Sequence, residues 1–259
     1  MIEIVWNGRR YRSPAPAASD LAIPLRFDGG GTAAFGAAPA YMEPLASPDF
    51  TGRVANGASC NASVLTLAPH GNGTHTECVG HLVEEACSVP ELLIGGWMPA
   101  WLASVDAAQG AIEVDALRVG LAGAQDHGCA AFILRTLPNG TDKLSRHYGS
   151  ETPPPWLMAT AAQALADAGI EHLLVDLPSL DRLDDPALPA HRAFFGLPAG
   201  SRRLREARRR FTTVTELVYA ADELADGLYL LDLQIPRWRL EAVPSRPLVV
   251  PAELVENSV

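Results

Sequence analysis

The stretch PHGNGTHTECVGH, Pro69–His81, packs three histidines, a glutamate and a cysteine into one short segment. In extended backbone successive side chains alternate sides, so His75 and Glu77 share a face while Thr76 and Cys78 point away. His81 returns to that face by helical spacing if the chain turns after Glu77, and by even spacing if it stays extended. Gly71 and Gly73 allow close approach of backbone to a ligand or a positive φ. Neutral imidazoles and carboxylates are donors that zinc and manganese accept, and such a cation makes hydroxide available near neutral pH. The competing reading, a hydrogen-bonded loop without metal, suits a lone histidine better than a crowd of ionisable groups. Cys78, facing away from Glu77, reads as a buried structural thiol.

Around this loop the chain alternates strand and helix patterns. Strands are expected at Leu21–Phe27, Ser63–Ala68, Trp101–Val105, Ala130–Arg135, His172–Leu177, Leu228–Ile235 and Leu248–Val250, with Phe211–Thr215 a further candidate. Helices are expected at Glu113–Gln125 and at Trp156–Ala168, the latter opened by Pro153-Pro154-Pro155 and closed by Gly169. Residues 13–48, rich in proline, glycine and alanine, are expected to be mostly loop. The alternation argues for an α/β protein with a partly buried sheet, and no composition break divides residues 1–259, so a single domain is expected.

The 259 residues carry 48% hydrophobic and 19% charged side chains, enough apolar surface for a folded core. A formal charge of −10 argues against nucleic acid or an anionic membrane as partner. The basic run SRRLREARRR, 201–210, has no interleaved aromatics and reads as a solvated helix face or exposed loop. The charged amino terminus is neither a signal peptide nor an anchor, so a cytoplasmic location is expected, with Cys60, Cys78, Cys87 and Cys129 as free thiols.

Other enzyme signatures are missing. His75-Thr76-Glu77 matches half of a zinc deaminase motif, but no P-C-x-x-C follows. There is no H-E-x-x-H, no G-x-S-x-G elbow, and Gly29-Gly30-Gly31 lacks a phosphate-loop lysine or a complete dinucleotide fingerprint.

Gly73-Thr74-His75, Glu77 and His81 resemble the H-x-G-T-H-x-D-x-P-x-H signature of the cyclase family of metal-dependent hydrolases, which includes kynurenine formamidase-like and isatin hydrolase-like enzymes. Asp20–Leu25, Arg135-Thr136, Val175–Asp181, His191, Thr215-Glu216-Leu217, Gly227–Ile235 and Pro244-Ser245-Arg246 resemble later family segments, in order. The resemblance implies a swivelling β/β/α domain with a mixed sheet flanked by helices, a homo-oligomer such as a dimer or tetramer, and one or two divalent ions per subunit, zinc first and manganese second. It implies hydrolysis of a small amide, N-formyl, lactam or ester/lactone substrate. Carried onto this sequence, His75, Glu77, His191 and Glu216 would be metal ligands. A metal-bound hydroxide would be the nucleophile and His81 the general acid/base.

Three departures stand out. The family's first histidine falls on Gly71, so His70 can replace that ligand only if the glycines let the loop bulge. Glu77 replaces aspartate and Val79 replaces proline. The arginine-rich run is an apparent insertion between His191 and Glu216, expected to reshape the pocket mouth and to steer an acidic substrate. Taken alone, His191 reads as a surface histidine and Glu216 as an exposed carboxylate. Two alternatives stay open: a catalytically degenerate member that binds a small ligand or partner, and a metal-dependent lyase or dehydratase.

Overall fold

The computed structural model describes residues 1–14, 17–93, 95–149 and 153–255. Its centre is a nine-stranded mixed sheet in the order Ala242–Pro244, His75–Cys78, Thr213–Glu216, His172–Val175, Ala131–Leu137, Trp97–Asp106, Gly227–Gln234, Arg246–Pro251 and Ser19–Asp20. The four strands from 213–216 to 97–106 run parallel, and every pairing outside them is antiparallel. The architecture is the α/β arrangement expected from the sequence.

Both faces of the parallel centre are covered, which explains its unbroken apolar runs. Phe132, Leu134, Leu173 and Val175 point into the cluster built with Leu117, Leu165, Phe194 and Phe195 of the helices. Ile133 and Leu174, one residue out of phase, join Leu102, Tyr229 and Leu231 on the other side. Burying each such side chain contributes about 1.5–3 kcal/mol. Helix Val114–Asp126 lies so close to the sheet that a Cβ on Gly123 would sit 2.3 Å from the Trp101 ring.

Most expected elements appear with shifted ends: strands Ser63–Thr66, Trp97–Asp106, Ala131–Leu137, His172–Val175, Thr213–Glu216, Gly227–Gln234 and Arg246–Pro251, and helix Val114–Asp126. Two expectations are corrected. The Leu21–Phe27 strand is reduced to Ser19–Asp20 followed by single contacts, such as the Ile23 N–H donating to Thr74 Oγ1 at 2.7 Å. Pro24, without an N–H, cannot continue a ladder. The second helix spans Ala159–Asp167, not Trp156–Ala168. Three prolines hold the chain extended, and Trp156–Leu157 pairs in parallel with Ala111–Ile112 before the helix begins.

Within the 13–48 loop region, residues 15 and 16 lie outside the described residues, and three short strands, Ser19–Asp20, Tyr41–Pro44 and Ala46–Ser47, interrupt it. A separate sheet of Ile2–Trp6, Arg9–Ser13 and Glu253–Val255 joins the two ends of the described chain. The basic run forms one 3-10 turn, Leu204–Glu206, in otherwise irregular chain. Arg209 reaches back to donate to the carbonyls of Phe194 and Ile170, so the run wraps behind helix Pro189–Phe195. No described helix is long and apolar enough to cross a membrane.

Candidate metal centre

Strand His75–Cys78 is fully buried, and its alternation aims His75 and Glu77 to one side. In the antiparallel register Glu216 lies directly opposite His75, which brings a carboxylate from far along the chain to the same spot. The chain then tightens into a 3-10 turn, Val79–His81, that carries His81 back over Glu77. Pro244 pairs with His75 on the strand's other edge, and the Ser245 N–H donates to the Thr74 carbonyl at 3.1 Å. The expected Pro-Ser-Arg tail thus holds the strand in place.

His70 reaches the site by a different route from the expected bulge. Pro69–Asn72 is a single helical turn that swings its imidazole to 3.2 Å from Glu77 Oε2. Position 71 cannot serve: a Cβ there would lie 2.5 Å from Ala37 Cβ and 3.2 Å from the Ala34 carbonyl. The one-residue displacement of the histidine follows from that packing.

His191 comes from helix Pro189–Phe195. Its Nε2 stands 3.0 Å from Glu77 Oε1 and 3.2 Å from Glu216 Oε1. Asp181 fixes this placement by accepting from the Ala190 N–H at 2.6 Å, the His191 N–H at 3.1 Å and His191 Nδ1 at 2.6 Å. All six residues singled out from sequence, His70, His75, Glu77, His81, His191 and Glu216, therefore converge. The sequence reading gave Asp181 no role, although it lies in the quoted 175–181 segment. Glu241, 3.2 Å from His70 Nε2, had no signal in its neighbourhood.

The donor set is incomplete without a cation. His75 Nδ1 donates to the Gly73 carbonyl at 3.0 Å and His191 Nδ1 to Asp181, which leaves each Nε2 as a lone pair in the neutral ring. Those lone pairs face carboxylates: His75 Nε2 is 3.3 Å from Glu216 Oε2. His75 Nε2, His191 Nε2 and both oxygens of Glu77 are buried without a hydrogen-bond partner. Acceptors facing acceptors in a dry site require a shared positive charge. Two groups could hold an ion, His75–Glu77–Glu216 and His70–Glu77–His81, with ligand atoms within 4.8 Å of one another and Glu77 common to both.

In the metal-free cluster that positive charge is drawn onto the imidazoles as protons, which a bound cation would displace. Burial would raise the Glu77 carboxyl, but His81, His191 and His70 outweigh it and hold the group well below the usual carboxylate range. Burial and the Glu77 charge oppose ionisation of Glu216, yet His191 and His75 keep it lowered. Conversely, burial disfavours charged His191, while Glu77, Asp181 and Glu216 drive it well above the ordinary histidine value. His70, despite its burial, is raised to about 9 by Glu77 and then Glu241.

A cavity of about 620 Å³ opens above the cluster, with His70, His81, His191 and Glu216 on its floor and apolar walls that include Phe35, Leu183 and Leu188. No residue of the basic run lines it, so the insertion does not form the cavity's wall as expected. Cys78 points away from the cluster, 3.8 Å from the Cys87 sulfur, and burial pushes its thiol up, as a structural thiol would be.

A family model described as "Putative cyclase" matches residues 19–182. Kynurenine formamidase of Bacillus mycoides (strain KBAB4) is 30% identical over 145 residues, covering 54% of this chain and 62% of the relative, so the match spans less than two thirds of that protein. Among solved structures, a "predicted metal-dependent hydrolase" from Bacillus stearothermophilus superposes with a TM-score of 0.59 at 16% identity, over 90% of this chain and 97% of the other. An isatin hydrolase bound to the product analogue thioisatinate gives 0.58 at 16% identity, over 91% and 92%. At these identities the structural likeness speaks for the fold.

Proposed function

The chain belongs to the cyclase family, and from that premise we propose that it is a metal-dependent hydrolase of a small amide, N-formyl, lactam or ester/lactone substrate. The observation that carries this reading is the set of buried, unpartnered acceptors, His75 Nε2, His191 Nε2 and both Glu77 oxygens, converging beside Glu216. His75, Glu77, Glu216, His191 and His70 would hold one or two divalent ions, zinc first and manganese second by donor type. A bound ion supplies Lewis-acid polarisation and lowers the pKa of water.

The chain's own groups do the rest. Asp181 holds the His191 ring so that Nε2 faces the cluster with a free lone pair. Apolar walls exclude water and strengthen every charge interaction on the floor. His81 is part-exposed on the cavity floor, and its Nδ1 lies 3.9 Å from Glu77 Oε2, beyond hydrogen-bond distance. Its imidazole is therefore free to take a proton and return it to the leaving nitrogen or oxygen. The degenerate reading rested on the missing first histidine, and His70 supplies an imidazole in that place.

The resemblance also implies a homo-oligomer. Met42 and Leu65, cross-strand partners 58% and 52% exposed on the paired strands Tyr41–Pro44 and Ser63–Thr66, offer an apolar patch that a second copy would cover.

The test is hydrolysis of N-formylkynurenine and simple lactones by metal-loaded and chelator-stripped protein, repeated with His81→Ala. Turnover should vanish on stripping and return with metal, and His81→Ala should lower kcat by about 10²–10⁴. Turnover indifferent to the chelator contradicts the reading, and full activity in His81→Ala removes that residue from the mechanism.

A further inference from the structure

Beside the cavity over the cluster lies a second one of about 490 Å³, and the two share Phe35, Arg182, Leu183 and Asp184 as a common wall. Its far side is formed by Tyr148, Trp156 and the Pro153-Pro154 pair. Each chamber alone falls in the size range of a small-molecule pocket.

The shared wall is a built feature. The loop bearing Phe35 is strapped on one side to the metal-site turn, the Ala34 N–H donating to the Gly71 carbonyl at 3.0 Å. On the other side it is strapped to the Tyr148 segment: the Tyr148 N–H donates to the Ala33 carbonyl at 2.7 Å, and the Ala33 N–H to the Arg146 carbonyl at 3.2 Å. Phe35 itself sits at φ +58 with half of its surface exposed. A bulky residue in the left-handed region is a backbone outlier of the kind that collects at ligand-binding positions. Here it places an aromatic ring at the passage between the chambers.

The charge of the wall selects the occupant. The Arg182 guanidinium spends Nε and Nη2 on the two oxygens of Asp184, both at 2.9 Å, and lies 5.2 Å from the centre of the Trp156 ring. Its charge is balanced by Asp184 and its face is laid against Trp156, so the pair gives the wall no net positive charge. What remains exposed to an occupant is ring and proline surface.

We propose that the second chamber receives a neutral aromatic arm of the substrate whose scissile group lies over the cluster, and that Phe35 and Trp156 are specificity-determining residues that grip this arm. The identity of the scissile group rests on the hydrolase reading above; the binding of the arm does not. The acidic substrate expected from the basic run is replaced by a neutral, elongated one.

The test uses aryl ketones, which carry the carbonyl and the arm but no bond to hydrolyse. Isothermal titration of the full-length, metal-loaded protein with acetophenone and with 4-acetylbiphenyl should show the longer ketone binding about tenfold tighter, the extra ring being buried. Trp156→Leu should cut that preference to within about threefold while leaving acetophenone affinity unchanged, and Phe35→Gly, which lines both chambers, should cut the preference likewise. Phe35→Gly suits the left-handed backbone, so it tests the point even if Trp156→Leu folds poorly. A carboxylate on the distal ring should weaken binding. Equal affinity for the two ketones, a preference that survives in Phe35→Gly, or tighter binding of the carboxylated ligand would overturn the proposal. Biphenyl preference without hydrolysis of any formamide or lactone would keep the chamber and sink the hydrolase reading; hydrolysis without the preference would do the reverse.

Discussion

Asp181→Asn removes one charge and almost no volume, yet it should weaken metal binding tenfold to a hundredfold. In the native site both Asp181 oxygens accept, one from the Ala190 N–H and the other from the His191 N–H and Nδ1. An amide keeps a single acceptor oxygen and puts an NH2 group in the other place, which cannot accept from Nδ1. The His191 ring then moves its proton to Nε2, where Glu77 Oε1 at 3.0 Å and Glu216 Oε1 at 3.2 Å accept it. The neutral ring then keeps its proton on Nε2, and the ligand position stays a donor. Loss of such an orienting carboxylate typically costs 10–100-fold in metal affinity, about 1.4–2.7 kcal/mol. Because a ligand that binds only the folded state stabilises by RT ln(1 + [L]/Kd), the metal-induced gain in stability should shrink by the same amount at fixed saturating metal. Chelator-competition titration gives the affinity, and thermal melts with and without metal give the increment. An Asn variant that binds metal within about twofold of the native protein would refute the claim that Asp181 sets the His191 tautomer.

Two other groups away from the site carry predictions of their own. Lys143 and Asp176 form a buried pair at 2.6 Å, with Asp176 also accepting from the Thr136 N–H at 2.8 Å. Lys143→Met strands a buried carboxylate and should cost about 3–5 kcal/mol in urea unfolding, and adding Asp176→Asn should recover most of it. His172 is buried, and desolvation lowers its pKa from 6.5 to about 4. The unfolded chain therefore takes up the proton first, so this contribution is fully present above pH 6.5 and is lost as pH falls toward 4. It amounts to about 3 kcal/mol. His172→Asn, which can still hydrogen-bond Thr213, should show a flatter decline of the urea midpoint between those pH values; parallel curves would contradict it.

How far the sequence disclosed this molecule depended on the range of the interactions involved. His75 and Glu77 were readable because alternation along one short strand is a local property. Their union with Glu216 and His191 depended on strand order and register, which no local pattern contains, and came only through the family resemblance. His70 needed knowledge that Ala34 and Ala37 close off position 71. The central strands announced themselves by unbroken apolar runs, whereas the helix after Pro155 was placed three residues early because backbone pairing with Ala111–Ile112 overrode its amphipathic pattern. The terminal sheet went unread even though Asn7-Gly8, with φ of +46 and +77, is a hairpin turn pair. Its third strand lies at the opposite end of the chain. The basic run looked like a part of the pocket mouth, but it wraps the back of helix Pro189–Phe195 and contributes no side chain to the cavity lining.

The whole account depends on a cation completing the acceptor cluster. An anomalous-difference map, collected at the zinc and manganese edges from crystals of protein purified without chelator, measures this directly. The account predicts a peak in contact with Glu77 and with ligands drawn from His75, His191, Glu216 and His70, with His81 outside the coordination sphere. Well-ordered side chains at these positions with no anomalous peak among them would contradict it.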